Sequence, residues 1–142
     1  MCSSDLFKFT NAHGVSRYGR YRIVPSAGEQ LLTAEQAKQA LSGYLADEIR
    51  RRIAHTPVRF HMLVQLAADG DELNNPSIAW PEARKTIEVG VIEITSVAVD
   101  SDAEQRALLF LPAALPTGIE AADPMIAARS AAYPVSYGRR NQ

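Results

Sequence analysis

The chain contains one cysteine, Cys2, and no long apolar run. A single cysteine excludes a disulfide framework and a zinc site built from cysteines. No apolar segment reaches the roughly 20 residues that a membrane helix requires. Residues 1–5 carry neither the basic nor the apolar region of a signal peptide. Cys2 precedes every predicted element, so we expect it to be an exposed thiol without a role.

The chain also lacks an excess of charge of either sign. Lysine and arginine together number 15, aspartate and glutamate 16, and the formal net charge is −1. This balance argues against nucleic acid or an anionic membrane as a partner, because both attract strongly cationic surfaces. The length of 142 residues fits one globular domain. Composition alone therefore predicts an intracellular domain of unspecified function.

Hydrophobic periodicity predicts both strands and helices. Alternation of apolar and polar residues predicts a β-hairpin over 6–24 and strands over 58–66 and 85–97, with a polar loop over 67–84. A capping-box spacing at Thr33 and Gln36 begins a first helix. Further helices are predicted over 44–55 and 124–132, and the acidic segment near Ser101 is predicted to be a loop. Together these elements predict an α+β fold with an antiparallel, barrel-like sheet and flanking helices. Four or five strands cannot close a large barrel, so either the sheet is open or the chain is part of something larger.

The three histidines do not suggest a metal site. His13, His55 and His61 lack the spacing that would direct two imidazoles at one metal ion. We therefore expect each of them to have a structural or solvent-exposed role.

The last predicted helix carries the most informative pair. Arg129 and Tyr133 are four residues apart, so a helix places them on one face. A guanidinium beside a phenol oxygen favours the phenolate, which is a suitable ligand for ferric iron. Pro134 is predicted to end the helix directly after the tyrosine. The pair alone is also compatible with an ordinary helix in which Tyr133 packs in a core.

Several ordered motifs around this pair resemble the proximal haem segment of the catalase superfamily. Residues 128–133 read Ala-Arg-Ser-Ala-Ala-Tyr, as the helix of the smaller catalase-related haem peroxidases often does. The motifs that precede it are Phe110-x-Pro112, Leu115-Pro-x-Gly-Ile-Glu120 and Asp123-Pro-Met125. Segments 7–24, 56–66 and 80–94 resemble the hairpin and later barrel strands of the family. The resemblance thus covers residues 7–140.

This resemblance implies roles for five residues toward haem b. It implies that Tyr133 is the axial ligand of the haem iron and that Arg129 keeps it ionised. Arg140 would bind a haem propionate, since a guanidinium pairs well with a carboxylate. Met125 and Phe110 would pack on the porphyrin. The chain departs from the typical catalase at Tyr137, where a histidine is usual, and this favours the peroxidase-like branch.

The resemblance further implies a haem-dependent peroxidase or catalase that reduces hydrogen peroxide or organic hydroperoxides. The family cleaves peroxide with a distal histidine and asparagine from its N-terminal half, and no residue here matches them. We therefore expect no catalytic residue in this chain. Residues 7–142 would be the C-terminal part of a catalase-like haem-binding domain, and residues 1–6 remain unmatched.

Two alternatives to an enzyme remain open. The chain is either a non-catalytic haem-binding or relic half-domain that needs a partner chain, or an unrelated α+β binding domain. The partners implied by the resemblance are haem, a peroxide, and either an N-terminal partner chain or a second copy. The cytoplasm is the default localisation. The periplasm is the alternative, because relatives of this type are often exported.

Overall fold

The computed structural model describes residues 6–75 and 77–142. The predictions made for Cys2 and the rest of segment 1–5, and for Pro76, lie outside these residues. The elements in chain order are β1 (Leu6–Thr10), β2 (Ser16–Pro25), α1 (Ala34–Gln39), α2 (Tyr44–Ile53), β3 (Val58–Leu66), β4 (Thr86–Ile94), α3 (Ser101–Ala107), β5 (Ile119–Ala121) and α4 (Pro124–Arg140).

The five strands form one antiparallel sheet in the order β4-β3-β2-β1-β5. The predicted α+β class with an antiparallel sheet is confirmed. Within the described residues the sheet is open and not a closed barrel, since β4 pairs only with β3 and β5 only with β1. An open sheet leaves unpaired backbone groups at both edges.

The two faces of the sheet differ in character. One face, here called the apolar face, carries Phe7, Phe9, Tyr21, Val64 and Ile87, which alternate or pair across the strands. Tyr21 packs edge-on against Phe7 and Phe9, with ring centroids 5.3 and 5.6 Å away, and burial raises the pKa of its hydroxyl. The opposite, charged face pairs cations with acids: Lys8 with Glu120 and Arg59 with Glu93.

The long loop over 67–84 is held against the charged face by a buried arginine. Arg20 is 4% exposed, lies 4.2 Å from the centre of the Trp80 ring, and donates hydrogen bonds to the carbonyls of Ile78 and Glu72. The indole of Trp80 donates to the same Glu72 carbonyl at 2.9 Å. These contacts explain how a polar loop of this length keeps a defined structure.

Three local features differ from the sequence-based predictions. The segment predicted as a loop near Ser101 is helix α3, which Asp100 caps by accepting a hydrogen bond from the Ala103 N–H. Strand β5 was not predicted, because its three residues are ordered by pairing with the distant β1. Helix α4 does not end at Pro134 but continues to Arg140.

Contacts with the preceding segment explain why α4 continues. Proline inside a helix removes one backbone hydrogen bond and costs about 3 kcal/mol. Beyond Pro134, the Arg140 guanidinium donates to the Leu108 carbonyl at 3.0 Å, and the Asn141 amide donates to the Arg106 carbonyl at 3.1 Å. These two bonds join the end of α4 to the last turn of α3 and to the residue that follows it.

The chain exposes far more surface than a compact monomer of its mass. Its accessible surface is 10,559 Å² for 15.5 kDa, whereas a compact monomer of that mass exposes roughly 7,200 Å². The buried apolar residues of the described chain are few: Leu6, Phe7, Val64, Trp80 and Ile126. The described helices are all too short or too polar to cross a membrane.

Candidate functional site

Helix α4 is fixed to the sheet at its first turn. Asp123 accepts a hydrogen bond from the Met125 N–H at 2.8 Å, and Pro124 supplies a preset first helical residue. Ile126 is fully buried. The Ala122 N–H donates to the Leu6 carbonyl at 3.0 Å, which joins the residue before the cap to β1. The start of α4 is therefore set by the edge of the sheet.

Spacing along α4 places five side chains on one helical face. Intervals of four, four, three and four residues keep these side chains on one side of the helix. They are Met125, Arg129, Tyr133, Ser136 and Arg140. Four of them, all except Met125, line a cavity of about 520 Å³. Leu109, Phe110, Leu111 and Pro112 form the facing wall. A cavity of this volume falls in the range of small-molecule sites.

The Arg129–Tyr133 pair has the geometry that its spacing predicts. The guanidinium of Arg129 donates from Nε at 3.0 Å and from Nη2 at 2.8 Å to the Tyr133 hydroxyl oxygen. Two donors from one cation stabilise negative charge on that oxygen. Tyr133 is half-buried and lines the cavity. The hydrogen-bonded pair is therefore the candidate ligand group of this cavity.

The other proposed site residues surround the same cavity, with one exception. Arg140 lines it while donating to the Leu108 carbonyl, and Phe110 lines it with 69% of its surface exposed. Met125 lies outside the lining residues, two turns before Tyr133, and is 49% exposed. Tyr137 does not line the cavity, and its ring lies 6.0 Å from the Arg140 guanidinium carbon.

The lining of the cavity is positively charged. Arg129 and Arg140 contribute two guanidinium groups, and no carboxylate is among the described residues that line it. Such a site suits a ligand with both an apolar body and anionic groups. None of the three histidines lines it, and the described chain holds no cluster of three or more residues able to ligate a metal through histidine, cysteine or carboxylates.

Ser136 and the full apolar wall were not predicted from the sequence. Ser136 lies three residues after Tyr133 and four before Arg140, so helical spacing alone indicates that it faces the cavity. That signal depends on α4 continuing past Pro134, which the sequence did not predict. Leu109 and Leu111 carry no such signal, because they reach the cavity through the path of a loop.

Comparison with known proteins identifies relatives over almost the whole chain. It is 32% identical over 137 residues to a catalase-related peroxidase of Synechococcus elongatus, which covers 96% of this chain and 40% of that protein. It is 33% identical over 131 residues to a catalase-related peroxidase of Mycolicibacterium paratuberculosis, covering 92% of this chain and 42% of that protein. The chain thus spans about two fifths of the length of these relatives. No protein-family model matches it.

Solved structures show the same fold. Catalase A from Saccharomyces cerevisiae superposes with a TM-score of 0.85 at 20% identity, covering 96% of this chain and 30% of that one. A fungal catalase superposes with a TM-score of 0.84 at 20% identity and the same coverage. The sheet and helices described above are therefore arranged as in part of a catalase.

Proposed function

We propose that this chain, which is similar over 96% of its length to a catalase-related peroxidase, is the haem-binding part of a haem-dependent peroxidase that reduces hydrogen peroxide or organic hydroperoxides. Tyr133 would be the axial ligand of the iron in haem b. The observation that carries this proposal is the pair of hydrogen bonds from Arg129 to the Tyr133 oxygen, at the border of a cationic cavity.

The residues present fit the group in their chemistry. A phenol oxygen that accepts two charged hydrogen bonds is a suitable anionic donor for ferric iron, and tyrosine serves as the haem ligand in catalase. Phe110 offers an apolar surface on the facing wall, and the Arg140 guanidinium suits a propionate carboxylate. When bound, haem would supply the iron that exchanges electrons with peroxide.

The residues of this chain would hold and orient the haem. They would not transfer protons to or from the peroxide. Arg129 would fix the Tyr133 ring and stabilise the negative oxygen, and Arg140 would anchor the anionic edge of the ligand. Peroxide cleavage also needs a general acid and base near the oxygen atoms. Neither a histidine nor a carboxylate lines the described cavity, so we propose that this function comes from residues outside this chain.

A second candidate function follows from the exposed surface. An accessible area of 10,559 Å² exceeds that of a compact monomer by roughly 3,000 Å², and each edge strand has one unpaired side within the described sheet. This favours a non-catalytic haem-binding half-domain that needs a partner chain. The partner would supply the missing acid and base together with the remaining strands.

A haem titration tests the role of Tyr133. We expect the purified chain to bind ferric haem b at one site and to give a spectrum typical of tyrosinate-ligated high-spin iron. Tyr133→Phe should lose that spectrum, whereas the matched control Tyr137→Phe should keep it, because Tyr137 does not line the cavity. Equal binding and equal spectra in all three proteins would refute the ligand assignment.

Peroxide turnover separates the two candidates. The haem-loaded chain is assayed alone and with the part of the Synechococcus elongatus relative that it does not match. Turnover by the chain alone supports an independent peroxidase. Turnover only with the added part supports a half-domain that depends on a partner.

A further inference from the structure

The facing wall of the Tyr133 cavity, residues 109–112, belongs to a loop that follows helix α3. Three of its side chains are between 40% and 69% exposed, namely Leu109, Phe110 and Leu111. The wall also bonds locally, since the Ala114 N–H donates to the Leu111 carbonyl at 2.9 Å. Burial in the core therefore does not set the position of this wall opposite α4.

Helix α3 gives the wall little support by itself. It has seven residues, Ser101–Ala107, and none of them is buried. Helices this short are marginal in water unless tertiary contacts hold them. The position of the wall thus depends on the contacts that fix the C-terminal end of α3.

The end of α4 supplies such contacts through one side-chain amide. The Nδ2 atom of Asn141 donates to the Arg106 carbonyl at 3.1 Å and to the Tyr137 carbonyl at 3.0 Å. Each carbonyl lies in the last turn of a helix, where backbone oxygens lack a partner within the helix. An amide nitrogen carries two hydrogens, so Asn141 uses both donors to bridge the ends of α3 and α4.

Arg140 adds a second connection from the lining of the cavity. Its Nη2 atom donates to the Leu108 carbonyl at 3.0 Å, while its side chain lines the cavity with Tyr133 and Phe110. The carbonyls held in this way, at 106 and 108, directly precede the wall. Helix α4 therefore carries the proposed iron ligand and, seven residues later, the first of the two residues that hold the wall.

We infer that Asn141 is a positioning residue of the haem site. By holding the end of α3, it sets the spacing between the wall at Phe110 and the face of α4 that carries Tyr133. This role rests on the proposed function, because it concerns the cavity assigned to haem. Asn141 is not among the described residues that line that cavity, so it acts through the wall.

Haem titration of two Asn141 variants tests this role. Asn141→Asp keeps the shape of the side chain, removes both donors and sets a carboxylate against two carbonyl oxygens. Asn141→Ala removes the amide without adding charge. We expect both variants to bind ferric haem b about tenfold more weakly than the wild type. Both should keep the tyrosinate spectrum, because Tyr133 and Arg129 are unchanged.

Gln142→Glu is the matched control for added charge. It makes the same change from amide to carboxylate one residue further along, at an exposed position. We expect its haem affinity to equal that of the wild type. Equal losses in Gln142→Glu and Asn141→Asp, with no loss in Asn141→Ala, would overturn the inference, because negative charge near Arg140 would then be the cause.

Coupling to Phe110 separates positioning from a general loss of stability. Phe110→Ala removes the largest apolar side chain of the wall. If Asn141 acts through the wall, Asn141→Ala should weaken haem binding much less in the Phe110→Ala background than in the wild type, because residues that act on one contact are not additive. Additive losses would overturn the inference.

Hydrogen exchange of the haem-free chain gives a readout that does not depend on haem. Peptides over 101–112 should exchange faster in Asn141→Asp than in the wild type or in Gln142→Glu, because the end of α3 is released. Unchanged exchange in Asn141→Asp would overturn the inference. Faster exchange with unchanged haem affinity would also overturn it and would leave the haem assignment intact.

Failure of the haem assignment gives a different pattern. The wild type would then lack the tyrosinate spectrum, and Tyr133→Phe would bind haem as the wild type does. The positioning role would fall with it, even if exchange over 101–112 still responded to Asn141→Asp.

Discussion

Arg129 is the residue on which the proposed phenolate most depends. It contributes two hydrogen bonds, at 2.8 and 3.0 Å, to one oxygen atom. Lysine cannot reproduce both bonds in a fixed plane. The pair follows from simple helical spacing, so this part of the candidate site is predictable from the sequence.

Replacement of Arg129 should therefore weaken haem binding without abolishing it. We expect Arg129→Met to reduce haem affinity about 10- to 100-fold, as is usual when a group that supports a metal ligand is lost. Arg129→Lys should lie between this variant and the wild type. Haem titration measures the effect, with Arg139→Met as an exposed control on the same helix. An unchanged affinity in Arg129→Met would contradict the supporting role.

A second residue-scale prediction concerns Asp71 in the long loop. A hydrogen-bonded ion pair with Arg84, at 2.9 Å, and the N–H of Ala68 hold the pKa of this carboxyl below its usual value. A lowered folded-state pKa stabilises the fold above the unfolded pKa of about 3.9, and this stabilisation is lost as the pH falls through the folded-state value.

We therefore expect the denaturation midpoint of the wild type to fall as the pH drops below about 4. Asp71→Asn should show a smaller fall over the same pH range, because the titrating group is gone. Asp69→Asn, an exposed position in the same loop, should behave like the wild type. Identical pH profiles for wild type and Asp71→Asn would show that the pair does not stabilise the loop.

At the scale of elements, the sequence predicted those helices and strands that depend on interactions between residues close together in the chain. The hairpin, the Thr33–Gln36 capping box and the long strands were all predicted, because alternation and capping act over a few residues. Strand β5 was not, since it is ordered only by pairing with β1. Helix α4 was predicted to end at Pro134, whereas it continues to Arg140. The residues that bond to its last turn lie 32 and 35 positions earlier in the chain, so a local pattern does not reveal them.

The continuation of α4 through Pro134 can be measured directly. Pro134→Ala restores a backbone N–H inside the helix, so we expect it to raise the free energy of unfolding by about 2 kcal/mol, the cost of an internal proline less its restriction of the unfolded chain. Urea denaturation measures this change. A lower free energy of unfolding for Pro134→Ala would mean that the proline is required for the direction of the α4 axis.

At the scale of the whole molecule, the chain has more apolar surface and more open edge than a self-contained domain. Strand β4 presents nine residues at an edge, with Val89 and Val91 about half exposed. Neither lysine nor proline interrupts it, although these are the usual protections of an edge strand. No local pattern in the sequence reveals this, because closure of a sheet depends on strands distant in the chain.

The open edge predicts self-association of the isolated chain. We expect Val91→Lys, on the charged face of β4, to reduce concentration-dependent association several-fold, because a charge at the edge opposes strand pairing. Val135→Lys on α4, a position of similar exposure, serves as the control and should not. Sedimentation velocity over a range of concentrations checks this. Equal association of both variants and the wild type would show that the chains do not associate through the edge of β4.

Resonance Raman spectroscopy of the haem-loaded chain tests the proposed iron ligand most directly. Excitation in the phenolate-to-iron charge-transfer band should enhance tyrosinate ring modes in the wild type and in Tyr137→Phe. Those modes should be absent from Tyr133→Phe. Tyrosinate modes that persist in Tyr133→Phe, or their absence from the wild type, would contradict the assignment of Tyr133 as the haem ligand.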